Sequence, residues 1–400
     1  MKVRMGGARD RRVRSGVRTT RPQGCAERVK RVGAVRAGCH DPGRVRDNEG
    51  PSVNNASPID IAWMRRAVEL AALGIGTTHP NPVVGCVITG RDGHPVGEGF
   101  HAYPGGPHAE VEALRMAGDR ARGGTAYITL EPCNHTGRTG PCADALIEAG
   151  VARVVYAVPD PNRQASGGAD KLADKNIQVE QGVLQDEAEA VNHVWLHSIR
   201  TGRPFVTWKF ATTLDGRSAA PDRSSRWITG PLARADVHRK RAECDAIAVG
   251  TQTVLDDDPE LTVRDAENQP VGRQPLRVVV GDRDIPATAR VRNDRAETLL
   301  LPTHDPAEVL RQLDDHQIRH LWLEGGPTLA AAFLRAGLVD QIVAYVAPAV
   351  LGSGFSAIGD LGAESIADLR RFTLADVTRL GDDVRLTLTP LTTPSPQRTV

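Results

Sequence analysis

His108-Ala109-Glu110 and, further along, Pro132-Cys133-Asn134-His135-Thr136-Gly137-Arg138-Thr139-Gly140-Pro141-Cys142 decide how this chain reads. One imidazole and two thiols are the right number and kind of ligands for a catalytic zinc that keeps its fourth position open. The candidate metal ligands are therefore His108, Cys133 and Cys142, with Glu110, two residues beyond the histidine, as the proton carrier. The local pattern places them well. His108 and Glu110 open a predicted helix reaching Met116, Cys133 follows a predicted strand over Thr125–Leu130, and Cys142 opens a helix reaching Ala149. A thiolate at a helix N-terminus is favoured by the macrodipole, so two such helix starts at a strand edge can hold one ion.

Outward from that stretch, the chain alternates. Ser57-Pro58-Ile59-Asp60 starts a helix with a serine N-cap and proline in the first turn. Ile61, Met64, Val68 and Ala72 recur on one face, and Gly74 ends it. Val83–Ile88 and Pro95–Phe100 read as strands joined through Asp92-Gly93, Arg153–Val158 reads as another strand, and Ala188–Ile199 reads as a helix. This order argues an α/β domain over 58–200. Thr201-Gly202-Arg203-Pro204 is a short boundary, after which a second α/β domain is expected over 204–392. Its strands are read at Phe205–Phe210, Ala246–Gly250, Leu276–Val280, Thr298–Leu301, His320–Leu323 and Gln341–Ala347, with helices over 231–242 and Pro306–Leu313. Glu324-Gly325-Gly326-Pro327-Thr328-Leu329 joins a strand to a helix reaching Ala336; such a turn suits a phosphate or serves only as a turn. The chain has no GxGxxG after a strand, so a Rossmann dinucleotide site is not supported.

The totals bound the class. Four hundred residues exceed one comfortable core, and no apolar run reaches the length of a membrane helix. A net charge of +1 gives no overall pull toward nucleic acid. The exception is the arm, residues 1–57, in which arginine recurs from Arg4 to Arg46 with few acids and almost no apolar periodicity. Such a segment is expected to be disordered. It reads as a nucleic-acid patch, a transit peptide, or an extension without function where translation begins nearer Ser57, and the last is the expectation; the missing apolar segment argues against a secretory signal. Cys86 and Cys244 lie in apolar runs as expected buried thiols, and Cys25 and Cys39 sit in the arm. This is a reduced, cytoplasmic pattern.

Zinc deaminases of nucleobases combine one His, two Cys and a nearby Glu, which takes a proton from water and returns it to the leaving ammonia. They space the cysteines as PCxxC, whereas eight residues separate Cys133 from Cys142 here. The insert closely resembles the PCxHxGxTxPC signature of the pyrimidine deaminase of riboflavin biosynthesis, within a cytidine-deaminase-like zinc fold. Thr78–Gly85, Gly97–His101, Asp119–Ala126 and Asp160-Pro161-Asn162 match as well. The resemblance implies that Asn81, His101, His135 and Arg138 line the substrate pocket. One departure, Arg163-Gln164-Ala165-Ser166 in place of a proline-containing run, is expected to bear on a loop and not on the zinc site.

The second half resembles the reductase of the same bifunctional family, which has a dihydrofolate-reductase-like fold and uses NADPH. The matching runs are LDGR (214–217), SRWITG (225–230), TVLDDDPELTVR (253–264) and EGGPTL (324–329). By that resemblance Ala211, Trp227, Thr253, Asp257 and the loop Gly326, Pro327, Thr328, Leu329, Ala330, Ala331 and Ala332 contact NADPH. Ser225, Arg241, Leu261, Arg264 and Glu324 hold the substrate, the two arginines suiting its phosphate, with Lys209 a further polar contact. The expected enzyme hydrolytically deaminates 2,5-diamino-6-(ribosylamino)pyrimidin-4-one 5′-phosphate and then reduces the ribosyl group to ribityl. Asp257, Lys209 and Glu324 stay open as proton donors. The expected cofactors are Zn2+ and NADPH, and the expected partners are a small pyrimidine ribose phosphate and further copies of the chain, with no nucleic acid and no membrane. Two alternatives stand beside this reading. One is a nucleobase or tRNA deaminase recruited by the basic arm, which explains neither the long insert nor the second domain. The other is a deaminase with an inactive reductase.

Overall fold

The structure, a computed structural model, describes residues 56–135 and 140–391. The arginine-rich arm and its expected disorder, Cys25, Cys39 and Arg138 lie outside the described residues.

The chain opens with α1 (Pro58–Ala72), where Ser57 and Asp60 form a reciprocal capping box. There follow β1 (Gly85–Thr89), β2 (Pro95–Phe100), α2 (Ala109–Ala117), β3 (Thr125–Leu130), α3 (Cys142–Ala149) and β4 (Arg153–Val158), then α4 (Gly168–Asp174), β5 (Gln178–Gln181), α5 (Gln185–Val191) and α6 (His193–Thr201). The strands form a five-stranded sheet in the order β2-β1-β3-β4-β5. β1 is antiparallel to both neighbours, while β3, β4 and β5 are parallel. Two apolar cores flank it, one beneath α2 and α3, the other beneath α1, α5 and α6.

Two expectations are corrected here. The buried stripe of α1 is Met64, Ala67, Leu70 and Ala71, and of the four residues read from the sequence only Met64 is fully buried. The small side chains let the helix approach the sheet so closely that a Cβ on Gly85 would stand 2.0 Å from the Ala67 carbonyl. The helix expected over 188–199 is two helices, interrupted at Asn192, whose Oδ1 accepts the Val83 N–H at 3.2 Å. On the opposite face α2 sits as tightly on β2: a Cβ at Gly97 or Gly99 would meet the carbonyl of Ala113 or Ala109 at 2.1 and 2.4 Å.

The second half comprises β6 (Phe205–Thr213), β7 (Arg217–Ala219), α7 (Pro231–Ala242), β8 (Ala246–Gly250), α8 (Thr251–Asp257), β9 (Leu276–Val280), β10 (Thr298–Leu301), α9 (Pro306–Asp315), β11 (His320–Leu323), α10 (Pro327–Arg335), β12 (Gln341–Ala347), β13 (Phe355–Ser356), β14 (Phe372–Leu380) and β15 (Asp383–Pro390). Its main sheet has eight strands in the order β10-β9-β8-β11-β6-β12-β15-β14. The first six run parallel, and β15 and β14 close the sheet antiparallel. Parallel strands need helical crossovers, and the cores on both faces confirm that arrangement. The result is an α/β zinc-deaminase-type domain followed by an α/β reductase-type domain.

Candidate functional site

The residues at 108, 133 and 142 converge. His108 is the N-cap of α2, Cys142 is the first residue of α3, and Cys133 follows β3. Their ligand atoms all lie within 4.8 Å of one another. The His108 Nδ1 is 3.1 Å from the Cys142 Sγ and 3.6 Å from the Cys133 Sγ, so Nδ1 is the imidazole atom aimed at the centre. Three soft donors converging from one side fit a zinc ion with an open position. The Cys142 thiol hydrogen-bonds to Cys133 and, against burial, brings its pKa down to about 4, with the His108 ring and the Cys142 backbone N–H adding to the effect. The same contact, with burial, pushes Cys142 up. Glu110, in the first turn of α2, is almost fully buried, and burial raises its pKa while its carboxyl contacts the Cys142 side chain. A carboxyl so placed can hold a proton beside the metal position.

Asn81 and His101 stand together beside this centre. The Asn81 Nδ2 is 3.1 Å from the His101 Nε2, the His101 Nδ1 is 3.0 Å from the Pro107 carbonyl, and the His101 ring meets the His108 ring edge-on at 5.6 Å. His135 is exposed on the insert, and Arg138 lies outside the described residues.

The 163–166 run does bear on the zinc site, contrary to the expectation from the sequence. Ala165 packs with Cys133 and Cys142 as a small buried cluster, and its carbonyl accepts the Asn134 N–H at 2.8 Å. The loop thus closes on the two cysteines, where a small residue fits. Glu131, which the sequence reading missed, anchors this loop. One of its oxygens accepts the N–H groups of Gly167 at 2.9 Å and Ala169 at 3.3 Å, and the other accepts the Asp160 N–H at 3.1 Å. Its place directly before Pro132-Cys133 was the only sequence signal, and its partners are backbone groups that no motif encodes.

The second site is a cleft of about 1780 Å³ at the C-terminal ends of β6, β8 and β11. That volume exceeds the several hundred Å³ usual for one small ligand and suits a dinucleotide together with a substrate. Ala211, Ser225, Trp227, Thr253, Asp257, Leu261, Arg264, Gly326, Pro327, Thr328, Leu329 and Ala332 all line it, as do Lys209, Arg241 and Glu324. Ala330 and Ala331, expected to contact NADPH, are instead buried in α10 and do not line the cleft, and the Ala330 N–H is committed to the Gly326 carbonyl. Ala330 packs into the core under α10, and the Ala331 side chain lies against Gly359, where an added Cβ would stand 3.2 Å from the Ala331 Cβ.

At the floor, Glu324 takes a two-pronged contact from Arg241, at 2.6 and 2.8 Å, and accepts the Trp322 indole N–H at 2.6 Å. The Lys209 Nζ is 4.0 Å from Glu324. Burial alone would raise the Glu324 pKa, but the two cations hold it far below the usual carboxylate range. Burial lowers that of Lys209. Arg241 was expected to serve a phosphate jointly with Arg264. Its guanidinium spans Glu324 and the Thr262 carbonyl, whereas the Arg264 side chain, among the described residues, hydrogen-bonds Asn268 alone. The buried Arg264 Nε lacks a hydrogen-bond partner among the described residues. At the rim, Trp227 is exposed beside Arg234, whose guanidinium lies 4.6 Å from its ring, and a flat exposed ring there suits a planar heterocycle. The wide cleft, the floor charges and this ring fit NADPH with a phosphorylated substrate.

Residues 58–158 match the family described as the cytidine and deoxycytidylate deaminase zinc-binding region, and residues 204–386 match the RibD C-terminal domain. The chain is 52% identical over 338 residues to the riboflavin biosynthesis protein RibD of Mycobacterium tuberculosis, covering 84% of this chain and 99% of that protein. With the RibD of Escherichia coli it is 46% identical over 363 residues, covering 82% and 99%. Among solved structures, Acinetobacter baumannii RibD superposes with a TM-score of 0.78 at 42% identity, covering 83% of this chain and 99% of that one. A diaminohydroxyphosphoribosylaminopyrimidine deaminase/5-amino-6-(5-phosphoribosylamino)uracil reductase from Thermotoga maritima superposes at 0.77 with 33% identity and the same coverage. With relatives this similar along nearly their whole length, and a site of each kind in its own sheet, the chain belongs to the RibD family of bifunctional deaminase–reductases of riboflavin biosynthesis.

Proposed function

We propose that the chain carries out both steps of its family through the residues described above, within a deaminase domain over 58–200 and a reductase domain over 204–392. The observation that carries the first step is the convergence of His108, Cys133 and Cys142 beside a buried Glu110. Zinc, when bound by those three residues, supplies a Lewis acid that makes a water acidic enough to be a nucleophile near neutral pH. Glu110 takes a proton from the water whose oxygen adds to the ring carbon and delivers it to the departing amine, so a C–O bond forms, the ring C–N bond breaks and ammonia leaves. Asn81, His101, His135 and Arg138 orient the diaminopyrimidinone and its ribose phosphate.

In the second step NADPH, held by Ala211, Trp227, Thr253 and the Gly326–Leu329 turn, would supply the hydride that C1′ of the ribosyl group takes. The C1′–O bond breaks, and the ring oxygen needs one proton. Glu324 is kept ionised by Arg241 and Lys209 and is no proton source. Of the remaining two, Lys209 lies on the charged floor, while Asp257 sits at the Ser225 side of the cleft. We assign the donor to Lys209 and the substrate phosphate to Arg264, whose guanidinium has no acidic partner in hydrogen-bond contact among the described residues.

The active unit is a homo-oligomer on this reading. β14 is an edge strand of nine residues whose Leu374 and Val377 are more than half exposed, and an apolar edge of that length calls for a covering partner. The chain acts in the cytoplasm on a small molecule, without nucleic acid or membrane. Cys86, Cys133, Cys142 and Cys244 are free thiols, and no helix among the described residues is long and apolar enough to cross a membrane.

The deciding experiment measures zinc content, ammonia release and NADPH oxidation on one purified sample. About one zinc per chain with both activities is expected. Ammonia release without NADPH oxidation when the deaminated intermediate is supplied would overturn the reductase assignment. Deamination of tRNA but not of the pyrimidine phosphate would overturn the substrate.

A further inference from the structure

We infer that Arg273 and Asp245, both in the reductase half, are positioning residues for the deaminase, because they hold the 74–82 loop that carries Asn81. The Arg273 Nη1 donates to the Gly76 carbonyl at 3.2 Å, and its Nη2 donates to the Asp245 Oδ1 at 3.0 Å. The other Asp245 oxygen stands 3.3 Å from the His79 Nδ1 and also accepts the backbone N–H groups of Arg319 and His320 at 2.9 and 3.0 Å. Asp245 is thus fixed by its own sheet and presents one side to the loop. The fit is close: Gly76 has φ +80°, and a Cβ there would meet the Ala242 carbonyl, at the end of α7, at 2.3 Å.

Inside the loop the constraint passes on to the pocket. Thr78 is fully buried, its hydroxyl donates to the Asn81 carbonyl at 3.2 Å, and the Asn81 N–H donates to the Thr78 carbonyl at 2.9 Å. A Cβ at Gly74 would lie 2.8 Å from the His101 carbonyl. The loop therefore has no slack between its contact with the reductase and the two side chains, Asn81 and His101, that meet beside the metal ligands. Loss of the outer contact shifts the inner one. A short, packed and hydrogen-bonded segment transmits such a shift.

The inference rests on the reading of Asn81 as a substrate contact, so its test includes that residue. Steady-state deamination and reduction are measured on full-length, zinc-loaded R273A, R273K, G76A and N81A. For R273A the deaminase KM should rise about 3- to 10-fold with kcat nearly unchanged, the size expected for loss of one or two hydrogen bonds. Its reductase constants should stay as they were, R273K should recover part of the loss, and G76A should act in the same direction. An unchanged deaminase KM in R273A and G76A, with a raised KM in N81A, overturns the inference alone. An unchanged KM in N81A overturns the reading of Asn81, and the inference with it. Parallel loss of both activities at constant KM shows a purely structural contact and also overturns it.

Discussion

Removing the Glu131 carboxylate should loosen the metal site without touching a ligand. In Glu131→Ala the N–H groups of Asp160, Gly167 and Ala169 lose their acceptor. Each buried donor left unpaired costs about 1–3 kcal/mol. The loop edge is only half-buried and water reaches part of it, so the lower end applies, and the three together amount to about 3 kcal/mol. These groups fasten the segment that packs Ala165 against Cys133 and Cys142, so most of this energy should appear as weaker metal binding. A loss of about 10- to 100-fold in zinc affinity is expected, the range found when a partner of a metal ligand is removed. The assay is competition of the full-length protein with a chromophoric chelator, supported by the thiolate charge-transfer absorption of the Co2+ form. Glu131→Gln keeps one oxygen for Gly167 and Ala169 but turns an amide toward Asp160, and should fall in between. The reductase constants serve as the control for folding. Zinc affinity within about threefold of the parent and an unshifted Co2+ spectrum in Glu131→Ala would refute the reasoning.

Other outcomes follow from the same geometry. Glu110→Gln should lower deamination by about 10²- to 10⁴-fold, the usual contribution of a general acid–base, while zinc stoichiometry and NADPH oxidation stay intact. Lys209→Met should abolish NADPH oxidation with the deaminated intermediate and leave ammonia release unchanged; retained oxidation moves the proton donor to Asp257. Burial opposes ionisation of Asp60, but contact with Arg153 at 2.6 Å, together with Ser57 and Tyr127, brings its pKa down to about 2. A depressed carboxylate stabilises the fold above its unfolded value and loses that contribution as pH falls through the folded value. Denaturant unfolding should therefore show about 2 kcal/mol disappearing between roughly pH 4 and pH 2. In Asp60→Asn that part of the slope should be missing.

Most of the framework was legible because its strands are buried apolar runs between turns. Thr125–Leu130, Arg153–Val158, Ala246–Gly250 and Gln341–Ala347 have the bounds expected from the sequence. What escaped lacks that signature. β5 is Gln-Val-Glu-Gln, with no apolar face to read, and β14 leaves Leu374 and Val377 exposed on an edge. α8 is seven residues long and ends in two aspartates, too short and too acidic at its end to show a helical stripe. The break at Asn192 depends on an acceptor reaching a strand far earlier in the chain. In the sites, the converging His108, Cys133 and Cys142 and the neighbouring Glu110 were legible because soft donors beside helix starts are a chemical pattern within single segments. Glu131, Ala165 and the Arg241–Glu324 pairing were not, because each acts on partners brought near only by the fold.

The seat of α2 on β2 has a consequence for how this site can change. His108 and Glu110 stand at the start of a helix that touches the strand backbone through Gly97 and Gly99, with no side chain between. Nothing there can repack to nudge the helix. A methyl group at either glycine would lift His108 and Glu110 together, and compensation would have to come from moving a whole helix. Adaptation toward another ring is therefore channelled to the other half of the pocket, the insert between Cys133 and Cys142 and the segment over the sulfurs, where length and composition can drift while the reactive pair stays in place.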